Sequence, residues 1–170
     1  SPANEWYPTI SQSGNLYFGS ERKGGLGRCD LYYSRPEGGK YKSIENLGSS
    51  VNTQFSEFEP LVLPDESGLI FMAFKPGAQG DLYYSQKKDG KWMPPKALVE
   101  LNSLGVEYSP FVTHDGKYFF FASTRSIENA TKKVNYDQLV SEINAPGNGV
   151  GDIYFVTTER LQDILKKYKD

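Results

Sequence analysis

The sequence predicts an all-β protein: a β-propeller of four-stranded antiparallel blades, with about three blades present. Three observations carry that expectation. The pentapeptide Asp-Leu-Tyr-Tyr-Ser stands at 30–34 and again at 81–85, and a near copy, Asp-Ile-Tyr-Phe-Val, stands at 152–156. A second motif, Glu-x-x-Pro, recurs at 5–8, 57–60 and 107–110, so the chain repeats with a period near 50. Aromatic residues make up 14% of the chain and are punctuated by 17 Gly and 10 Pro, the mixture that suits short strands joined by tight turns. A period near 50 with four extended runs per unit is the signature of a propeller blade. One such blade cannot bury both of its faces, so it must stack on neighbours.

The elements follow in order. Extended runs in the first unit are expected near 8–12, 15–21, 30–35 and 40–44. Each Glu-x-x-Pro is followed by a Gly turn and an apolar run that ends on a cation: Arg22, Lys75, Arg125. A Gly-rich bend then leads into the Asp motif, whose apolar residues alternate as a half-buried strand requires. Two units add a glycine and an aromatic, at 38–42 and 89–93, and close on Val-Asn-Thr (51–53) or Leu-Asn-Ser (101–103). Residues 1–170 thus read as one partial propeller with blades 5–53, 54–103 and 104–157. The third blade has no fourth run. After Thr157 and Thr158, either of which suits an N-cap, Leu161, Ile164, Leu165 and Tyr168 recur at helical spacing. A helix over 158–169 is expected, with Lys166, Lys167 and Lys169 matching its C-terminal dipole. The third blade also carries an insertion, 126–150. Within it Tyr136, Leu139, Val140 and Ile143 predict a short helix, Asn135 and Gln138 form a capping box, and 144–151 is a flexible return. The insertion reads either as a lid or docking element, or as a plug over the channel mouth or a blade edge.

The order Glu-x-x-Pro, then Gly-Asn-Leu-Tyr-Phe-Gly-Ser-Glu-Arg (14–22), then Asp-Leu-Tyr-Tyr-Ser, then Asn-Thr resembles the WD-like β-propeller repeat of the TolB type. The resemblance covers residues 5–157. It departs at Ala73-Phe74-Lys75, where the family has Ser-x-Arg. It implies a six- or seven-bladed ring, exported to the periplasm or cell surface of bacteria and often without an assigned function. No secretory signal is visible from Ser1 onward, so that location comes from the resemblance alone. Three blades do not close a ring. The chain is expected to be the C-terminal half of a longer propeller, or one of two three-bladed chains that pair as a homodimer.

Composition excludes several function classes. The charge is balanced, 19 Lys+Arg against 21 Asp+Glu, which argues against a nucleic-acid binder. Apolar runs are far shorter than a membrane span. The lone Cys29 excludes an internal disulfide and a cysteine zinc cage. The lone His114 sits in a turn. No Gly-x-Ser-x-Gly elbow occurs, and 85–92 fails the Asp-box of sialidases at Lys87 and Asp89. No catalytic residue, metal site or cofactor is assigned, with a calcium ion left open.

The repeated polar residues should share one face. Their spacing suggests a cation–carboxylate pair in each blade: Arg22 with Asp30, Lys75 with Asp81, Arg125 with Asp152. Glu-x-x-Pro is placed in the connection between blades, on that same face. Glu5, Glu57 and Glu107 then either ring the channel mouth and hold a cation or basic peptide, or lock neighbouring blades by hydrogen bonds. The Asn-Thr and Asn-Ser pairs read as turn chemistry. The candidate ligand-binding residues are Glu5, Trp6, Arg22, Glu57, Glu107, Tyr108, Arg125 and Tyr136. The function expected is a non-catalytic binding or interaction module for a protein segment or a glycan. The alternative is a carbohydrate-active glycosidase or lyase using paired carboxylates, some of them in further blades.

Overall fold

Each Gly turn reverses the chain between two strands, and every such pair is antiparallel. The computed structural model describes residues 1–77, 79–125, 135–147 and 150–169. Its first sheet orders β1 (Glu5–Ile10), β2 (Leu16–Ser20), β3 (Asp30–Glu37) and β4 (Lys40–Asn46) in sequence. The second contains β5 (Ser56–Val62), β6 (Gly68–Phe74) and β7 (Asp81–Lys88). The outer edge of β7 is covered by two short pieces, β8 (Lys91–Trp92) and β9 (Lys96–Ala97). Pro94 and Pro95 split this fourth strand, because neither has an N–H for the ladder. The third sheet is β10 (Glu107–Val112), β11 (Tyr118–Ser123) and β12 (Asp152–Thr157). The all-β, antiparallel expectation holds, and the third sheet has three strands among the described residues.

The first strand differs from expectation. Glu-x-x-Pro lies inside it, at the start of β1, β5 and β10, and not in a connection. The residue before each proline is left-handed: Tyr7 at φ 43°, Glu59 at φ 54°, Ser109 at φ 52°. At each one the pairing with the second strand slips, so a bulge separates Trp6 from Thr9, Phe58 from Leu61, and Tyr108 from Phe111. Proline, with no N–H to donate, fits where the ladder is interrupted. A left-handed non-glycine residue costs roughly 1–2 kcal/mol, so the bulge is held by its surroundings three times over.

The sheets stack face to face. Tyr17, Leu31, Leu47 and Val51 of the first unit pack on Val62, Leu69, Phe71 and Ala73 of the second. Ile70, Met72, Leu82, Tyr84, Leu98 and Leu101 pack on Phe119 and Phe121 of the third. Side chains alternate along a strand, so β6 sends Leu69 and Phe71 one way and Ile70 and Met72 the other. With a neighbour on each face, β6 is buried almost throughout, whereas β12 alternates between covered and exposed. Its Ile153 and Phe155 remain 77% and 59% exposed.

The C-terminal helix α2 spans Thr158–Lys166, ending earlier than the predicted 169. Thr157 is the N-cap and accepts from Arg160 N at 3.2 Å. Leu161, Ile164 and Leu165 are buried in the core between the second and third sheets. The helix is tied back to the second unit: Lys167 meets Glu100 at 2.8 Å, and the Tyr168 hydroxyl donates to the same carboxylate. In the insertion, helix α1 (Tyr136–Ile143) forms where predicted. Asn135 N donates to Gln138 Oε1 at 3.0 Å and Gln138 N to Asn135 Oδ1 at 2.9 Å, the predicted capping box. Residues 126–134 and 148–149 of the insertion lie outside the described residues.

Phe71→Ala should cost about 3–5 kcal/mol in urea denaturation, because its ring is fully buried between two sheets. Phe155→Ala, on the uncovered face, should cost less than about 1 kcal/mol. Equal losses would contradict the stacking order.

Candidate functional site

Strand register gathers the repeated polar residues at one end of each sheet. Glu5 stands opposite Ser20, and Ser20 opposite Asp30; the second unit aligns Glu57, Ala73 and Asp81, and the third Glu107, Ser123 and Asp152. The shared face expected from the repeat is present. The pairing within it is not the expected one.

Arg22 and Arg125 meet the glutamate and the aromatic strand, and Lys75 meets the aromatic strand; none meets the aspartate. Arg22 lies 4.7 Å above the Tyr32 ring and 5.2 Å from Phe18. Its Nε donates to Ser20 Oγ at 2.9 Å and its Nη2 to Glu5 at 2.9 Å. Arg125 repeats this over Tyr154 (4.6 Å) and Phe121 (5.3 Å), with Nε on Ser123 Oγ (2.9 Å) and Nη2 3.4 Å from Glu107. Lys75, lacking a fork, sits 4.0 Å above Tyr83, and its charge acts on Glu57. The predicted pairs Arg22–Asp30, Lys75–Asp81 and Arg125–Asp152 are not formed among the described residues. Asp30 and Asp152 take donors from nearby segments instead. Asp30 accepts Leu26 N (2.7 Å), Gly27 N (2.9 Å) and Asn46 Nδ2 (2.7 Å), and Asp152 accepts Gly147 N (2.6 Å). A carboxylate one residue past a tight bend reaches those N–H groups more easily than it reaches across the sheet.

The glutamates are latches between units. Glu57 is fully buried and accepts from Thr53 Oγ1 at 2.6 Å and Thr53 N at 3.1 Å. Glu107 is equally buried and accepts from Ser103 Oγ (2.5 Å), Ser103 N (2.9 Å) and Ser123 Oγ (2.5 Å). Burial pushes the Glu57 carboxyl above its usual pKa, and the Thr53 bonds only partly offset this. Between units the backbone joins too: Glu57 N donates to Cys29 O (2.9 Å) and Glu107 N to Gly80 O (2.8 Å). Arg28 N donates to Phe55 O at 2.9 Å, and a Cβ on Gly27 would overlap that same oxygen, so only glycine admits the approach. With no accessible oxygen, Glu57 and Glu107 cannot ring a channel mouth for a ligand. Their oxygens are taken up by the turn that precedes their own strand. Glu5 differs, its side chain 34% exposed.

Other candidates separate. Glu5, Trp6 and Arg22 come together in a cleft of about 380 Å³ on the outer face of the first sheet, with Phe18, Tyr41 and Ile44. The Tyr108 hydroxyl lies against Gly151 in the third unit, and Tyr136 is exposed on α1. His114 is exposed in its turn, at the other end of the sheets. Cys29 is fully buried, and burial pushes its thiol up to about 12, an inert core residue. Among the described residues no group of His, Cys, Asp and Glu is arranged to hold a metal.

Two clusters escape the sequence. The left-handed residues before the prolines are neighbours across units: Ser109 N donates to Glu59 Oε2, and the Tyr7 side chain acts on the Glu59 carboxyl. Burial nevertheless holds the Glu59 carboxyl above its usual pKa. Only the proline in Glu-x-x-Pro hints at this row. At the opposite end Glu66 crosses from the second unit to the first. It accepts from Ser11 (2.7 Å), Ser13 (2.5 Å), Asn15 (2.7 Å), Tyr17 (2.9 Å) and Lys87 (3.2 Å). All but Lys87 lie some fifty residues away, which no spacing rule detects. Burial would raise its pKa, but these bonds outweigh it and lower the carboxyl to about 2.

A comparison with protein families finds no family model that matches the chain, and a search of curated proteins finds no match.

Because the folded pKa of Glu66 lies below its unfolded value near 4.5, its contribution is present above pH 4.5 and is lost as pH falls toward 2. Glu66→Gln should therefore lower stability at pH 7 and flatten the loss between pH 4.5 and 2. Parallel stability curves for the two proteins across that window would contradict the assignment.

Proposed function

We propose that the chain is part of a β-propeller of the TolB-like, WD-like repeat type and that it serves as a non-catalytic binding module. Its ligand is a protein segment or a glycan, taken on the end of the sheets that carries the Glu-x-x-Pro bulges and the 126–150 insertion. The stacked antiparallel units, their shared markers and their inter-unit latches support the propeller. The resemblance further suggests an exported protein of the periplasm or cell surface. Among the described residues no helix is long and apolar enough to cross a membrane.

The observation that carries the binding reading is the row Tyr7, Glu59, Ser109. The backbone there is the same in all three units, left-handed and bulged, yet the side chains differ completely. Around it Glu57, Glu107, Asp30, Asn52 and Asn102 are held in scaffold contacts. Strained backbone that presents unlike side chains at one register is where ligand specificity is built on a repeat. Glu59 is the acceptor at its centre, and Tyr7, half exposed, offers a ring and a hydroxyl.

A second reading rests on Glu59 alone. A carboxyl held above its usual pKa by burial is what a glycosidase needs in its general acid. One experiment separates the two. Peptide and oligosaccharide arrays are probed with the wild type and with Glu59→Gln, and hits are assayed for turnover. The binding reading predicts a ligand held unchanged, with affinity at least roughly tenfold weaker in Glu59→Gln at unaltered melting temperature. Affinity equal in both proteins would contradict it, and oligosaccharide cleavage abolished in Glu59→Gln would establish the enzyme.

A further inference from the structure

In the first two units the outer edge of the third strand is closed in the same way. Asn52 docks its amide on the backbone of Leu31: Leu31 N donates to Asn52 Oδ1 at 2.8 Å, and Asn52 Nδ2 donates to Leu31 O at 2.9 Å. Asn102 repeats both bonds on Leu82, at 2.9 and 3.0 Å. The same carbonyls accept one more strand bond each, from Leu47 N (3.0 Å) and Leu98 N (2.9 Å). The Asn is therefore more than turn chemistry. It imitates a strand residue and delivers the next residue, Thr53 or Ser103, to the latch glutamate.

The third unit has the equivalent edge. Register places Ile153 of β12 opposite Ala122, as Leu31 stands opposite Gly19 and Leu82 opposite Met72. β12 pairs with β11 on one side, and no strand among the described residues pairs with the other. The chain leaves this edge through α2, which turns back to the second unit. Ile153 and Phe155 stand exposed beside it, with Phe155 already packed against Tyr118 (5.7 Å) and Phe120 (5.5 Å). An open strand edge next to a formed apolar face is the usual setting for strand addition.

We propose that the outer edge of β12, unpaired among the described residues, is a docking site for an extended segment that ends in Asn-Ser or Asn-Thr, a strand of the chemistry of residues 40–53. The Asn amide binds Ile153 N–H and C=O, and the segment's counterparts of Leu47 and Val51 pack beside Ile153, as those two residues cluster with Leu31. The occupant is not a second copy of residues 1–170. Asn52 is fully committed and 1% exposed in its own unit, and Asn102 is bound in the same way. This inference rests on the repeat geometry and is independent of what the module binds at Glu59.

The test supplies such a strand in trans. A synthetic peptide of residues 40–53 is titrated into ¹⁵N-labelled protein. Saturable amide shifts should cluster on Asp152, Ile153 and Phe155, with the Ile153 N–H protected from hydrogen exchange. A peptide carrying Asn52→Leu should bind roughly tenfold more weakly, having lost both bonds to the edge. Ile153→Asp in the protein, at an exposed position, should weaken the native peptide as well. No shift at millimolar peptide, shifts away from β12, or equal affinity for the two peptides would overturn the proposal. Protection of Ile153 without peptide, rising with protein concentration, would show that a second copy takes the edge instead.

Discussion

A carboxylate taken fully out of water must be met by donors or the fold is lost, and this structure uses that requirement to join its units. Glu57 and Glu107 belong to the first strand of one unit and are held by Thr53 or Ser103 from the end of the unit before. Leaving such a charge uncompensated costs about 3–5 kcal/mol, so the turn that joins two sheets cannot part from the glutamate without a large loss. The Asn beside each Thr or Ser ties the same turn to the preceding third strand. Both of these inter-unit boundaries are thus fixed twice, by an amide that imitates a strand and by a hydroxyl that satisfies a buried charge.

That fastening makes room for strain elsewhere. Two residues beyond each of these glutamates the chain enters the left-handed bulge, at Glu59 or Ser109, and proline then resumes the strand. A bulge of this kind needs rigid neighbours, and the latch on one side and the stacked aromatics on the other supply them. The Arg22 and Arg125 guanidinium groups link the two, lying over the aromatic ladder while reaching the glutamate. Where Lys75 replaces arginine, its ammonium keeps the ring contact and the charge but has no fork, and Ala73 no hydroxyl, to complete the bond. The second unit lies between the other two, and β6 is buried on both faces.

Much of this is legible in residue order. Period, strand number, the shared polar face, the capped C-terminal helix and the capping box of α1 are each a local pattern or a repeat. The identity of partners is not. Arg22 stands closer in sequence to Asp30 than to Glu5, and that proximity favours the wrong carboxylate; only the register of β1 on β2 reveals the right one. Glu-x-x-Pro reads as a connection because proline usually ends a strand, whereas here it marks a bulge within one. Glu66 and Glu59 find their donors across units, at separations near the repeat length, where sequence offers no signal of contact.

The central claim is that the buried glutamate and the preceding hydroxyl act as one latch. A double-mutant cycle with Thr53→Val and Glu57→Met, followed by urea denaturation, measures it directly. Thr53→Val keeps the backbone N–H bond and removes the hydroxyl, so it should cost about 1.5–3 kcal/mol in the wild type and far less in the Glu57→Met background. A coupling of at least about 1 kcal/mol is the predicted result. Strict additivity of the two substitutions would show that the carboxylate is stabilised by something other than the turn that precedes it.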